Sequence, residues 1–372
     1  ISSTVSDVDI GLLLSSGLDS NILLYELLEN GINVNPISIG FKSYEEFDEN
    51  KTIKKIYDFY GLKENIIEIS DFDFPSLLNK TVYHQDYLNS NLANMAVYSI
   101  FEKAKLYNKV FLTGSGLDEL YGGYMTYKAS YLNGILKRFK IPINKIFNSK
   151  LLQKIFGNPG KYSYGYLIYK FLEGSKYDSV KSHIMWRSFW DDQEIDLLLK
   201  DNNELIQTFD DLNSNNEMEL EHYNYLMSLD YKFFLNDNAN QMIDSLSMAH
   251  SVESRPSFLS DEIISMAFST NYKNKFDLRN NKKILRRIYK DKIPQFVLNN
   301  SKKGLVLPLQ DILKNQLKNE TLSLLESKSL KKMNIKIPTS KINNFLNGKN
   351  DIDVYKVYNL LTLSKWCDYF LE

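Results

Sequence analysis

The segment "VDIGLLLSSGLDSNILLYELLENG", residues 8–31, carries the strongest fold signal in the sequence. It opens with a continuous apolar run, which is typical of a strand buried on both faces. A turn of small polar residues follows, and then a short helix that Gly31 ends just past its C-terminus. A plain turn needs one residue that tolerates positive φ, whereas a loop that wraps an anion needs several small side chains around its amides. The cluster Ser15, Ser16 and Gly17 therefore predicts either a simple turn or an anion-binding loop.

The same alternation continues through the first third of the chain. Apolar strands are predicted at 35–41, 64–70 and 109–114, and helices at 46–61 and 91–107. Strands that alternate with helices and carry apolar side chains on both faces indicate a parallel sheet covered on both sides. From about Tyr124 onward the pattern is helical, with no strong strand signal. The prediction is an α/β fold, a doubly wound parallel sheet with a helical C-terminal half.

Composition narrows the class of protein. The chain has 372 residues, of which 43% are hydrophobic and 24% charged, with a formal net charge of −1. This balance gives no reason to expect nucleic acid or a membrane surface as partner. A single cysteine, Cys367, excludes an internal disulfide framework and a thiolate zinc cluster, so a cytoplasmic location is expected. The sequence shows neither a secretory leader nor an apolar run of membrane-spanning length.

A second turn of small residues, "TGSGLDELYGGY" at 113–124, follows the fourth strand as "SSGLDS" at 15–20 follows the first. Ligands of open parallel sheets bind beyond the carboxyl ends of the strands, where helix N-termini attract phosphate. Each turn carries an aspartate, Asp19 and Asp118, and two carboxylates with phosphate oxygens suit Mg²⁺. A single such turn is more often only a turn, and an Asp in a first helical turn is often only a cap. Together they predict a nucleotide polyphosphate site with Mg²⁺.

Five stretches carry a resemblance to a known family. "SSGLDS" looks like the pyrophosphate loop of the ATP-pyrophosphatase superfamily, and "TGSGLDELYGGY" resembles the second signature of asparagine synthetases. The stretches at 234–259, 301–309 and 357–370 are similar, in order, to later segments of that family. The resemblance implies one asparagine synthetase-like domain over 1–372, with a nucleotide-binding core at 1–130 and a helical half at 131–372 that completes the site.

The resemblance implies an acyl-adenylate mechanism that uses ATP and Mg²⁺, first of all to make asparagine from aspartate. In this mechanism Asp19 and Asp118 would hold Mg²⁺, Lys302 would neutralise developing charge, and Ser115 would lie at the catalytic position beside them. Without the resemblance, Lys302 is interpreted equally well as one of two neighbouring lysines exposed to solvent. The residues implied to contact the nucleotide are Leu13, Ser15, Ser16, Gly17, Asp19, Ser20, Ile39, Thr113 and Gly114.

The sequence departs from the family pattern in ways that affect the product. Ser16 replaces the first glycine of the loop, and Ser115 stands where asparagine synthetases carry an acidic residue. A serine cannot manage the proton of an attacking amine at neutral pH. A relative that amidates or cyclises another carboxylate, such as a sugar acid or a peptide, therefore stays open, as does a nucleotide-binding module without catalysis.

The expected partners are a small carboxylate and ammonia or an amine. A glutaminase domain or subunit outside the sequence given stays open as a further partner, as does a second copy of the chain in a homodimer. Two weaker signals favour structural roles: His84 is expected to be a structural hydrogen-bonding residue, and the aromatic and basic stretch at 160–171 is expected to be a solvated face.

Overall fold

The computed structural model describes residues 2–41, 49–70, 72–141, 164–199, 221–300, 307–348 and 353–371. The chain forms two compact units and crosses between them several times. The first unit contains Ile1–Gly123, Met227–Lys275 and Asn281–Pro308. The second contains Tyr124–Leu226, Phe276–Asn280 and Leu309–Glu372. The division at residue 130 that the sequence suggests stays a prediction.

A five-stranded parallel sheet forms the centre of the first unit. The strands are β1 (Ile10–Leu13), β2 (Asn35–Phe41), β3 (Ile66–Ile69), β4 (Val110–Thr113) and β5 (Glu253–Pro256). Their order in space is β3-β2-β1-β4-β5, and all neighbouring pairs are parallel. The order reverses between β1 and β4, which makes the gap between their carboxyl ends the topological switch point. The predicted doubly wound α/β fold is confirmed.

The core strands have apolar sequences because both of their faces are covered. Leu12, Ile37, Phe111 and Leu112 are completely buried. Gly11, on β1, is paired with Phe111 on β4, and a Cβ at Gly11 would lie 2.4 Å from the ring of that phenylalanine. The absence of a side chain at this position therefore lets the large ring fill the space beside the strand.

Helices cover the sheet in the first unit. α1 begins directly after the first turn, and its apolar residues Leu23, Leu24 and Leu27 pack in the core. The left-handed Gly31, with φ of 66°, follows the end of α1 as predicted. The helices up to residue 123 are α1 (Leu18–Glu29), α2 (Asn50–Phe59), α3 (Phe74–Gln85), α4 (Asn94–Ala104) and α5 (Leu117–Tyr121).

The rest of the chain is largely helical, as predicted. Among the described residues, no helix is both long enough and apolar enough to cross a membrane. The α-helices are α6 (Met125–Arg138), α7 (Tyr164–Gly174), α8 (Ser179–Arg187), α9 (Asp192–Leu198), α10 (His222–Leu229), α11 (Gln241–Met248), α12 (Asp261–Ser269), α13 (Tyr272–Lys275), α14 (Lys283–Ile288), α15 (Gln295–Leu298), α16 (Leu309–Asp311), α17 (Lys318–Ser323), α18 (Lys328–Lys332), α19 (Thr339–Leu346) and α20 (Val354–Phe370). Two π-helical segments, Asp230–Asn240 and Ile312–Gln316, and two 3₁₀ turns, Ser2–Thr4 and Leu324–Glu326, complete the described elements.

The fifth strand is the main difference from the sequence prediction. β5 has the sequence ESRP, with no large apolar residue to mark it as a strand. It pairs with β4 from Val110–Glu253 to Thr113–Pro256. Tertiary pairing with a neighbouring strand, rather than local propensity, makes this segment extended.

Candidate active site

The loop after β1 is held in shape by its own side chains. The Ser15 N–H donates to Ser20 Oγ at 3.2 Å, and the two hydroxyls lie 3.0 Å apart. The Gly17 N–H donates to Ser15 Oγ at 3.2 Å. The Asn21 side-chain amide donates to the carbonyl oxygens of Ser15 and Gly17 at 3.0 and 2.7 Å. The loop is therefore organised, and its small side chains keep the backbone close to the N-terminus of α1.

A carboxylate accepts a hydrogen bond from this loop. The buried Ser16 donates its N–H to Glu49 Oε2 at 3.2 Å, and its hydroxyl oxygen accepts from Asn300 Nδ2 at 3.0 Å. Ser16 is not among the described non-glycine residues with positive φ, so its substitution for a family glycine introduces no left-handed strain. The loop amide thus holds an anionic oxygen, as expected of an anion-binding loop at a helix N-terminus.

The loop after β4 packs directly against the first loop. A Cβ at Gly114 would lie 3.0 Å from both the carbonyl carbon of Asp19 and the amide nitrogen of Ser20. A side chain at this position would therefore separate the two loops. Beside it, Thr113 Oγ1 donates to Ser115 Oγ at 3.4 Å.

The two predicted metal-binding aspartates meet at a single lysine. Lys282 Nζ lies 2.6 Å from Asp19 Oδ1, 2.7 Å from Asp19 Oδ2 and 2.7 Å from Asp118 Oδ1. The Lys282 side chain is only 6% exposed, and those of Asp19 and Asp118 are 19% and 9% exposed. Burial by itself would lower the pKa of Lys282, but the charges and hydrogen bonds of the two carboxylates outweigh it and raise that pKa above its ordinary value. A buried cation thus joins the two carboxylates at the switch point.

The backbone around this cluster is shaped to admit the lysine. Lys282 has left-handed φ and ψ of 50° and 38°, which costs a non-glycine residue about 1 kcal/mol or more. A Cβ at Gly123 would lie 1.8 Å from Asp118 Oδ1 and 2.5 Å from Lys282 Cε, so only glycine leaves room for the pair. The neighbouring Asn281 donates from Nδ2 to the Gly123 carbonyl at 3.0 Å and accepts from Arg286 Nη2 at 2.9 Å. These contacts fix the segment that carries the lysine.

The donor set at this point fits Mg²⁺. Both aspartates offer oxygen atoms, they converge on one cation, and Mg²⁺ is commonly held by one or two carboxylates together with substrate phosphates. Among the described residues, no group of three or more His, Cys, Asp and Glu side chains forms a complete metal cage. Asp19 and Asp118 would therefore hold the metal only in company with other ligands such as phosphate oxygens.

The structure brings together most of the residues predicted from sequence. Leu13 ends β1, Thr113 ends β4, and Ile39 lies in β2 beside β1. Lys302 lies outside the described residues. His84 is exposed, and its ring centroid lies 5.9 Å from that of Tyr98. Its role as a structural hydrogen-bonding residue stays a prediction.

Sequence reasoning missed two charged residues of the site. Lys282 belongs to the lysine pair of "NNKKILRR", which by itself resembles a solvated basic stretch. Glu49 immediately precedes α2, where an acidic residue usually indicates only a favourable helix N-terminus. The left-handed Lys282 and the glycine pair at 122–123 become meaningful only when the three segments are seen together.

A sequence model described as asparagine synthase matches residues 2–368. The chain belongs to the asparagine synthase family. The predicted family membership is thereby confirmed over nearly the whole sequence. The two aspartates of the family-like loops are the ones that converge on Lys282.

Individual members of the asparagine synthase family match at low identity. Asparagine synthetase [glutamine-hydrolyzing] 1 of Bacillus subtilis is 25% identical over 315 residues, which cover 84% of this chain and 48% of that protein. A putative asparagine synthetase [glutamine-hydrolyzing] of Mycobacterium bovis is 24% identical, covering 82% of this chain and 46% of its own length. A putative asparagine synthetase [glutamine-hydrolyzing] 2 of Methanocaldococcus jannaschii is 29% identical over 41% of this chain and 32% of its own. The chain spans about half the length of the first two relatives.

Proposed function

We propose that this chain forms an amide bond in an ATP-dependent reaction that passes through an acyl-adenylate, with aspartate as the first candidate acid. The observation that carries the proposal is the convergence of Asp19 and Asp118 on Lys282 at the carboxyl ends of β1 and β4. Family membership supports amide-bond formation as the general reaction. In this proposal, the phosphates of ATP bind at the loops that follow β1 and β4.

In the proposed reaction, a carboxylate oxygen of the acid attacks the α-phosphorus of ATP, and the bond from that phosphorus to pyrophosphate breaks. The nitrogen of ammonia or an amine then attacks the acyl carbon, and AMP leaves. When bound by Asp19 and Asp118, Mg²⁺ would add positive charge for the phosphate oxygens. The Lys282 ammonium holds the two carboxylates in place and adds a fixed cation beside the phosphates, and Lys302 is proposed to act on the acyl and phosphoryl oxygens. Preorganised charge of this kind is generally the largest contribution to such catalysis.

The loop after β1 would bind the leaving pyrophosphate. The Ser16 N–H already donates to a carboxylate oxygen of Glu49, so a phosphate oxygen can take the same hydrogen bond once Glu49 withdraws. Ser15 and Ser20 support the loop from inside through their hydroxyls. Leu13 and Ile39 are proposed to border the adenosine.

The test is exchange of labelled pyrophosphate into ATP, driven by candidate acids. Asp19→Asn and Asp118→Asn should each lower exchange by roughly 100-fold or more, because each removes a charge from the cation site. Asp58→Asn, on the exposed face of α2, is the matched control and should exchange normally. Normal exchange in either site variant, with the fold intact by circular dichroism, would refute the site.

Ser115 favours a second candidate, in which the acid is not aspartate. Its hydroxyl accepts a hydrogen bond from Thr113, and a hydroxyl at neutral pH does not take up the proton of an attacking amine. Amidation or cyclisation of another carboxylate, with a more reactive amine, fits this substitution. Ser115→Glu should then change the rates with different amines more than the affinity for ATP.

The nitrogen donor is proposed to be ammonia, an amine, or ammonia delivered by a glutaminase domain or subunit. The relatives named above are glutamine-hydrolysing, and this chain covers about half of their length. The only cysteine, Cys367, is buried in α20 of the second unit, and burial raises the pKa of its thiol. A suppressed thiolate of this kind is a poor nucleophile for glutamine.

A further inference from the structure

A separate cavity opens beside the end of β4 in the first unit. Its volume is about 290 Å³, close to the lower limit of roughly 300 Å³ for small-molecule pockets. The walls come from β4, β5, the end of the Asp230–Asn240 π-helix and the start of α11. The lining residues are Thr113, Asn240, Gln241, Ile243, Asp244, Ser254 and Pro256.

The described residues that line this cavity include an acidic residue and no basic residue. Among the described residues that line it, Asp244 is the single ionisable residue, and none is a lysine or an arginine. The remaining polar groups are hydroxyls and amides, which are neutral. The Ser254 hydroxyl oxygen is buried and has no hydrogen-bond partner among the described residues. A buried polar atom without a partner is uncommon and is satisfied by a ligand or by water.

The arginine nearest in sequence, Arg255, lies on the other face of β5 and makes its hydrogen bonds elsewhere. Side chains alternate along a strand, so Ser254 and Pro256 face the cavity while Glu253 and Arg255 lie on the opposite face of β5. Arg255 Nε donates to Glu253 Oε1 at 2.6 Å, and Nη2 donates to Glu253 Oε2 at 3.1 Å. Its Nη1 donates to the carbonyl oxygens of Ser3 and Val5 at 3.0 and 2.7 Å. Arg255 is therefore held as a structural clamp and not as a receptor for a carboxylate.

From this arrangement we infer that the cavity receives an acyl substrate that carries an ammonium group and has no second carboxylate beside it. The Asp244 carboxylate would accept hydrogen bonds from the ammonium group, and the Ser254 hydroxyl would satisfy a polar atom of the same molecule. Among the described lining residues, a second carboxylate would meet only Asp244 and neutral groups, so it would enter with unfavourable electrostatic energy. The inference rests on the proposed function, because it supplies the acid for that reaction, and it favours the second candidate, in which the acid is not aspartate.

Three acids differ by single groups and separate the alternatives. β-Alanine is aspartate without its α-carboxylate, and succinate is aspartate without its amine. Pyrophosphate exchange should be supported best by β-alanine, less well by aspartate and least by succinate. Asp244→Asn should lower kcat/KM for β-alanine by about 10- to 100-fold, the range of a lost charge-assisted hydrogen bond. It should leave the dissociation constant for Mg-ATP unchanged.

Asp237→Asn, at an exposed aspartate of the π-helix that precedes α11, is the matched control and should keep the order of the three acids. Asp244→Lys should reverse the order in favour of succinate. Aspartate or succinate used as well as β-alanine, or an Asp244→Asn enzyme with unchanged kcat/KM, would overturn the inference while leaving the proposed reaction standing. No exchange with any of the three acids, while Mg-ATP still binds, also overturns it. Failure of the wild-type chain to bind Mg-ATP refutes the proposed function itself.

Discussion

Replacing Lys282 by methionine should destabilise the first unit strongly at neutral pH. The substitution keeps much of the side-chain volume but removes the only described cation between Asp19 and Asp118. At separations of 2.6 and 2.7 Å and an effective dielectric of about 20, each ion pair has a Coulomb energy of about 6 kcal/mol. Desolvation cancels much of this attraction in the native protein, but the substitution removes one ion pair from each of two largely buried carboxylates.

We therefore expect Lys282→Met to lower the free energy of unfolding by about 3–5 kcal/mol, the usual loss when one member of a buried pair is removed. The measurement is urea unfolding followed by circular dichroism. Lys290→Met, an exposed lysine two residues beyond α14, is the matched control and should change the free energy by no more than about 0.5 kcal/mol.

Magnesium provides a second measurement on the same variant. In Lys282→Met, Mg²⁺ is expected to supply positive charge that the ammonium no longer supplies to the two carboxylates, and a ligand that binds only the folded state stabilises it. Mg²⁺ should therefore restore more stability to Lys282→Met than it adds to the wild-type chain. Equal unfolding of Lys282→Met and Lys290→Met, or an equal effect of Mg²⁺ on the variant and wild type, would refute the buried ion cluster.

The direction of the Lys282 pKa shift determines how the difference in unfolding free energy between the wild type and Lys282→Met depends on pH. Lys282 has a folded-state pKa above its ordinary value, so its contribution is complete below the unfolded-state pKa of about 10.4. The contribution is lost as pH rises through the higher folded-state pKa. The difference in unfolding free energy between the wild type and Lys282→Met should therefore stay constant from neutral pH to about pH 10 and shrink above it.

Three further results are expected. Gly123→Ala places a Cβ 1.8 Å from Asp118 Oδ1, so it should lower the unfolding free energy by about 1–3 kcal/mol and abolish pyrophosphate exchange. Gly134→Ala, at an exposed position of α6 where a Cβ would lie 3.0 Å from the hydroxyl at the end of the Tyr223 side chain, should preserve exchange. Glu49→Gln keeps a hydrogen-bond acceptor for the loop but removes a negative charge that repels phosphate. The dissociation constant for Mg-ATP, measured by calorimetry, should therefore fall about 3- to 10-fold. An unchanged constant would mean that this carboxylate does not compete with ATP. Residues 1–372 incubated with glutamine should release no glutamate, with or without ATP, because Cys367 is buried and its thiol pKa is raised. Glutamate release that Cys367→Ser removes would contradict this expectation.

Most of the sheet, and the two loops proposed to bind phosphate, are predictable from local sequence patterns. A strand buried on both faces has an uninterrupted apolar sequence, and a helix often ends at a glycine such as Gly31. Both patterns lie within about 20 residues of chain, so they can be recognised without the structure. The topology of parallel sheets then places turns after strands at one edge, which predicted that Asp19 and Asp118 would approach each other. Their shared position beside the switch point is what the structure shows.

Which other groups lie beside these aspartates depends on tertiary contacts. Lys282 lies 263 residues beyond Asp19 along the chain, and no local pattern distinguishes it from its neighbour Lys283. Its role depends on a left-handed backbone and on the missing side chain at Gly123, which are three-dimensional facts.

The same reason explains β5 and the cavity beside it. The segment ESRP lacks the apolar pattern of a strand, and it becomes one because β4 offers an unpaired edge. That pairing turns Arg255 toward Glu253 and leaves Ser254 beside Asp244. Periodicity and turn chemistry act between near neighbours in sequence, whereas the charge of a binding cavity depends on which distant segments pack together and which face each presents.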